Sequence, residues 1–166
     1  MAETSPFTAE EVQRLRRLLE IEAIRETKIK YAQLMDGRRV DDLANLFTED
    51  ALCEFGPYGQ WRSRETIRTN YQEVFSGDSA LLFGSLHNTP NHWVELTGPT
   101  TATGRSYLID VITNKPPEEN PIVWFGIYDE DYEKVDGQWL ISRCSLQFLW
   151  PERNLTDGFG GEFPNP

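Results

Sequence analysis

The sequence predicts an α+β domain: a cone-like, curved antiparallel sheet wrapped around three N-terminal helices and enclosing an apolar pocket. Three observations carry that expectation. Apolar residues recur at helical spacing through the first part of the 166-residue chain. Four long runs rich in β-branched and aromatic residues fill the second part. Between the last two runs stands Asp136-Gly137, a strong hairpin signal. Helices that precede the strands, rather than alternating with them, can bury their apolar stripes only against one face of the sheet.

Thr8 with Glu11 has the capping-box pattern. From there to Met35 the apolar positions Leu15, Leu18, Leu19, Ile21, Ile24, Tyr31, Leu34 and Met35 keep helical spacing, and Gly37 supplies the stop. A second short helix is predicted over Val40–Phe47, then a strand over Asp50–Phe55 and a turn at Gly56-Pro57-Tyr58-Gly59. Ser63, Thr66 and the run to Phe75 give a third helix. The strands are Leu86–Leu96, Thr101–Thr113, Ile122–Val135 and Gln138–Trp150. They are separated by Gly98-Pro99, by the Pro-rich stretch Lys115–Pro121 and by Asp136-Gly137. Consecutive long strands of this kind make an antiparallel meander. Pro90 interrupts the first of them, so a bend or bulge is expected there. Three segments result: a helical lead-in over 1–18, one domain over 19–150, and a Gly/Pro-rich tail over 151–166 without regular structure.

Composition narrows the function. With 39% hydrophobic and 12% aromatic residues the chain can furnish both a core and an apolar cavity. A net charge of −11 repels nucleic acid and anionic membrane. No stretch approaches the ~20 apolar residues of a membrane span, and the first residues hold no apolar signal core, so a cytoplasmic protein is expected. Cys53 and Cys144 lack the spacing of a zinc site or a disulfide framework and read as half-buried reduced thiols. No GxGxxG, P-loop, GxSxG or HExxH is present, and His87 and His92 fall on opposite strand faces unless a bulge intervenes. Neither a metal nor a cofactor is implied. Trp and Phe on the outer sheet face point to a homo-oligomer, a dimer or trimer.

The chain has two histidines, both in Leu86–Trp93. Histidine is the side chain suited to moving protons near neutral pH, which makes His87 the candidate base. Asp36 ends the first helix, at the negative end of its dipole, and wants a positive partner; an imidazolium would serve. Tyr31 lies roughly 140° round the helix from Asp36, so the two do not share a stripe, and fraying near Gly37 could let both reach a pocket mouth. Asp110 shares a strand face with Ala102, Gly104, Ser106, Leu108 and Ile112. That face is small and apolar enough for a pocket floor, where a carboxyl needs a partner or a raised pKa. Arg143 either answers Asp110 or points outward. Tyr58 is a weaker candidate for a substrate hydroxyl contact. Pocket shape depends on which of Phe55, Trp124 and the neighbouring aromatics face inward.

These residues carry a resemblance. Leu19–Ala51 (LEIEAIRETKIKYAQLMDGRRVDDLANLFTEDA), His87–Val94 (HNTPNHWV) and Gly137–Ser142 (GQWLIS) resemble, in order and spacing, the SnoaL-like branch of the nuclear transport factor 2-like superfamily. That family includes scytalone dehydratase, bile-acid 7α-dehydratase, a hexachlorocyclohexane dehydrochlorinase, polyketide cyclases and the small subunits of ring-hydroxylating dioxygenases. The resemblance implies a helix-end Asp, here Asp36, paired with a strand His, here His87, that removes a proton from carbon. Tyr31 and Asp110 fall on positions where relatives carry functional residues, whereas Arg143 is slightly out of register with an Arg of the last strand. The expected activity is a cofactor-free, dehydratase-type elimination on a small apolar cyclic or polyketide-like substrate. Isomerisation, cyclisation, or a non-catalytic small subunit or ligand carrier of the same fold are the alternatives.

Overall fold

A computed structural model of the chain describes residues 6–114, 116–119, 122–157 and 159–160. Helix α1 runs unbroken from Ala9 to Asp36. The Thr8 hydroxyl accepts from the Glu11 N–H at 3.2 Å, and the Glu11 carboxylate accepts from the Thr8 N–H at 2.8 Å, closing the capping box. Glu20 ties the helix to the sheet by accepting from Lys134 Nζ and Trp139 Nε1, each at 2.7 Å. Ahead of it Leu15, Leu18 and Leu19 are exposed, so the early part of the apolar stripe lies on no core; the buried stripe is Ile24, Lys28, Tyr31 and Met35. Gly37 does not take the left-handed conformation usual past a helix end. It stays right-handed at φ −79°, and Arg38 turns left-handed at φ 55°.

Helix α2 spans only Val40–Ala44, because Phe47 already opens strand β1, Phe47–Glu54. Phe47 is fully buried and pairs with Ile141, an arrangement a helix through Phe47 would forfeit. A tight turn at Gly56–Tyr58 leads into β2, Gln60–Arg62, and Ser63 caps α3, Arg64–Val74. Pro90 splits the next run into β3, Ser85–Asn88, and β4, Trp93–Leu96, both antiparallel to β5, Thr101–Ile112. β6, Ile122–Val135, and β7, Gln138–Trp150, complete the meander. The turn between them puts Asp136 and Gly137 at φ 49° and 82°, as a type I′ hairpin requires.

The sheet order is β2-β1-β7-β6-β5-β3, with β4 also on β5. All pairings are antiparallel except β1 with β7, so the curved, unclosed sheet is mixed at that one place. β1 comes from the helical half of the chain and meets the last strand without a hairpin between them, which leaves its direction free. Even-numbered residues of β5 and β6 face the helices: Ala102, Ser106, Leu108, Tyr128, Glu130 and Tyr132 are all buried. In β7 the inward set changes parity, from Trp139 and Ile141 to Cys144, Leu146 and Phe148. A bulge does this: Asp131 pairs with Arg143 and Tyr132 with Ile141, so Ser142 has no opposite number. The chain after β7 turns back, with Asn154 bridging Phe148 and Thr156 covering Gln147. Among the described residues no helix is long and apolar enough to cross a membrane.

Candidate active site

A cavity of about 280 Å³ opens between α1, α3 and the concave face of the sheet. Tyr31, Tyr71 and Tyr128 make its floor, Phe55, Trp124 and Phe148 line its wall, and Tyr58, more than half exposed, stands at its edge. Its titratable groups gather on one side, where α1 ends against β3: His87 lies within 4.0 Å of both Asp36 and Asp110.

The backbone N–H of Phe83 donates to the Asp36 carbonyl at 2.8 Å, fixing the approach of β3 to the helix terminus. Two residues into that strand the His87 N–H is shared between both Asp36 carboxylate oxygens, at 3.1 and 3.0 Å, and His87 Nδ1 meets Oδ1 at 2.6 Å. Asp36 is 4% exposed. Its carboxylate faces the negative end of the helix dipole, and these donors answer that cost. With Nδ1–H given to Asp36, a neutral imidazole keeps its lone pair on Nε2. No fraying is needed to bring Tyr31 into the same site: α1 is regular to its end, and Tyr31 lines the cavity floor one and a half turns below.

Asp110 stands directly opposite His87 in the β3–β5 register, with Oδ2 4.0 Å from Nε2. Its Oδ1 is buried and has no hydrogen-bond partner among the described residues. Burial pushes this carboxyl above the usual aspartate range; His87 pulls the other way, Asp36 adds to the rise, and Arg38 opposes it. A carboxyl whose pKa burial raises thus faces the free nitrogen of a His–Asp pair.

Tyr31 bonds Tyr71 through their hydroxyls at 3.0 Å, and burial holds both phenols well above the usual tyrosine range. Neither is poised to ionise; each can donate or accept as a neutral group. Arg143 is the one proposed contact that the cavity does not include. The bulge turns it to the outer face, where it pairs with Glu54 at 2.9 Å and Asp129 at 3.4 Å. His92 lies elsewhere, its ring 6.2 Å from that of Tyr132. Cys53 and Cys144 are fully rather than half buried and are register partners on β1 and β7, with burial raising both thiols and so quenching their reactivity.

Three features escaped the sequence. Tyr71 and Tyr128 complete the floor; parity alone could have found Tyr128, two residues from Gly126 on the inner face of β6. Lys28 and Glu130 form a buried ion pair under that floor, and a lysine inside the apolar stripe of α1 was its signal. Arg38 lines the cavity, but nothing in sequence marks an arginine after Gly37 as a site residue.

Known proteins agree with this architecture. The model of the SnoaL-like domain matches residues 16–145. A scytalone-dehydratase-like protein of Novosphingobium aromaticivorans superimposes with a TM-score of 0.72 at 23% identity, over 86% of this chain and 95% of that one. An NTF2-like protein with a cystatin-like fold from the same organism gives 0.74 at 18% identity, covering 90% and 94%. LinA gives 0.67 at 18% identity, covering 92% and 99%. At these identities the structures speak for the fold, and the domain match speaks for descent: the chain belongs to the SnoaL-like domain family of the NTF2-like superfamily.

Proposed function

We propose that this protein is a cofactor-independent lyase that eliminates water from a small, largely apolar cyclic or polyketide-like substrate. The observation that carries the reading is the 2.6 Å contact of His87 Nδ1 with the buried Asp36, beside a cavity. His87 Nε2 takes a proton from carbon. Asp36 holds the ring in the Nδ1–H tautomer and stabilises the imidazolium that forms. Asp110, its pKa raised by burial, gives its proton to the departing hydroxyl, which leaves as water. The proton on His87 then returns to Asp110 by way of a water, since Nε2 and Oδ2 stand 4.0 Å apart, resetting both groups. Tyr31 offers a neutral hydroxyl to a substrate oxygen, while Phe55, Tyr58 and Trp124 supply apolar contact. Dehydratase-type names among the structural neighbours support the same class.

Isomerisation and cyclisation draw on the same base. A second carboxyl beside the base, Asp110, raised by burial, favours elimination, since a leaving hydroxyl needs an acid. The test is a screen of cyclic β-hydroxy ketones and polyketide-like alcohols in D₂O, wild type against His87→Ala. Water loss and deuterium uptake by wild type alone support the reading. Equal behaviour of the two proteins, with ligand affinity retained, leaves a non-catalytic carrier of the same fold.

A further inference from the structure

Arg38 holds a left-handed backbone conformation that glycine normally fills, although a glycine stands one residue earlier. Such strain persists where the side chain is fixed by its surroundings. Here Nε donates to the Ser79 carbonyl at 3.0 Å, Nη1 to the Met35 carbonyl at 2.7 Å and Nη2 to Ser85 Oγ at 3.2 Å. The guanidinium carbon lies 4.3 Å from the centre of the Phe75 ring. A guanidinium has more N–H bonds than these contacts use, and the rest find no partner among the described residues. Among the described residues that line the cavity, Arg38 is the one Arg or Lys.

Its place along β3 matters. Ser85, which it contacts, and His87 share a face of that strand, roughly 6.6 Å apart. Arg38, held at Ser85, and His87 thus line the same side of the cavity, where a carbonyl oxygen can meet the guanidinium while the adjacent C–H meets His87 Nε2. Partial burial lowers the guanidinium from the usual arginine range, and the nearby carboxylates Asp36 and Asp110 oppose that effect.

We infer that Arg38 receives the carbonyl oxygen of the substrate and stabilises the negative charge that gathers there when His87 removes the neighbouring proton. This deepens the proposed function, on which it rests, by naming the substrate class: an enolisable carbonyl compound with a hydroxyl β to the carbonyl. The C–H pair moves into the C–C bond and the carbonyl π pair onto oxygen. When the enolate collapses, the C–O bond breaks, and hydroxide leaves as water with the proton of Asp110.

The probes are cyclohexane-1,3-dione, an enolate at neutral pH, and its O-methyl enol ether, neutral with the same ring. Affinities are measured by calorimetry, with circular dichroism to verify folding. Wild type binds the dione roughly tenfold more tightly than the ether, against the acidic charge of the chain. Arg38→Gln brings the ratio near one with ether affinity unchanged. Arg38→Lys, the milder variant, keeps charge without the planar fork and lowers the ratio in part. His87→Gln keeps the preference. Equal binding of both probes by wild type, or a full preference in both Arg38 variants, overturns the assignment alone. Binding of neither probe by wild type overturns the pocket reading with it.

Discussion

Lys28 of α1 and Glu130 of β6 meet at 2.8 Å inside the cone, with side-chain exposures of 1% and 0%. Tyr132 donates its hydroxyl to the other Glu130 oxygen at 2.9 Å, and the ammonium lies 3.3 Å from the centre of the Tyr128 ring. The pair therefore supports the tyrosine floor from below. Its Coulomb attraction is set against the cost of removing two charges from water, so its net worth is small while the loss of one member is severe.

Lys28→Met leaves Glu130 buried and uncompensated and should cost about 3–5 kcal/mol in urea unfolding. The double variant Lys28→Met with Glu130→Gln should regain most of that. A double variant as unstable as the single one would show that the ammonium acts through its ring contacts instead.

Asp36→Asn should leave the fold in place and lower turnover by about 10²–10⁴. The amide presents a donor to Nδ1 and so favours the tautomer with the proton on Nε2, where the base is needed. Steady-state kinetics on any substrate found in the screen checks this. A loss of less than a few-fold would remove Asp36 from the mechanism.

Burial raises Asp110 above the range it has in the unfolded chain. The unfolded state therefore releases this proton first, and stability falls as pH rises from the ordinary aspartate range through the folded value. Asp110→Asn should then be more stable than wild type at neutral pH, with the gain vanishing in acid. Turnover should fall by about 10² in the same variant. Urea titrations at several pH values decide it; a variant that loses stability at neutral pH would contradict the raised carboxyl.

His92 behaves oppositely. Burial lowers it from 6.5 to about 4. Between those values the unfolded chain binds the extra proton, so the stability of the fold decreases as pH falls through that window. The slope reaches about 1.4 kcal/mol per pH unit for one proton. His92→Asn should flatten the dependence between pH 6 and 4.5, measured by chemical unfolding, relative to His87→Asn as control.

Much of this was legible because local rules and tertiary packing agree. The capping box at Thr8, the Asp136-Gly137 hairpin and the inward face of β5 needed only spacing and turn chemistry. The Asp36–His87 contact followed from the resemblance and from the electrostatics of a carboxyl at a helix end. Arg143 was not legible: a single bulge at Ser142 reverses the faces of β7, and no residue type announces it. Arg38 was hidden by the rule that glycine takes the left-handed position, which Gly37 here declines. The exposure of Leu15, Leu18 and Leu19 depends on where the sheet ends, and periodicity does not carry that information.

The tautomer of His87 tests the central claim without any substrate. With two histidines in the chain, ¹⁵N-histidine NMR resolves each ring, and His87→Gln assigns them. The neutral His87 ring should carry its proton on Nδ1, hydrogen-bonded and strongly deshielded, with Nε2 bare, and Asp36→Asn should abolish that signal. A proton found on Nε2 in wild type would leave no base facing the cavity.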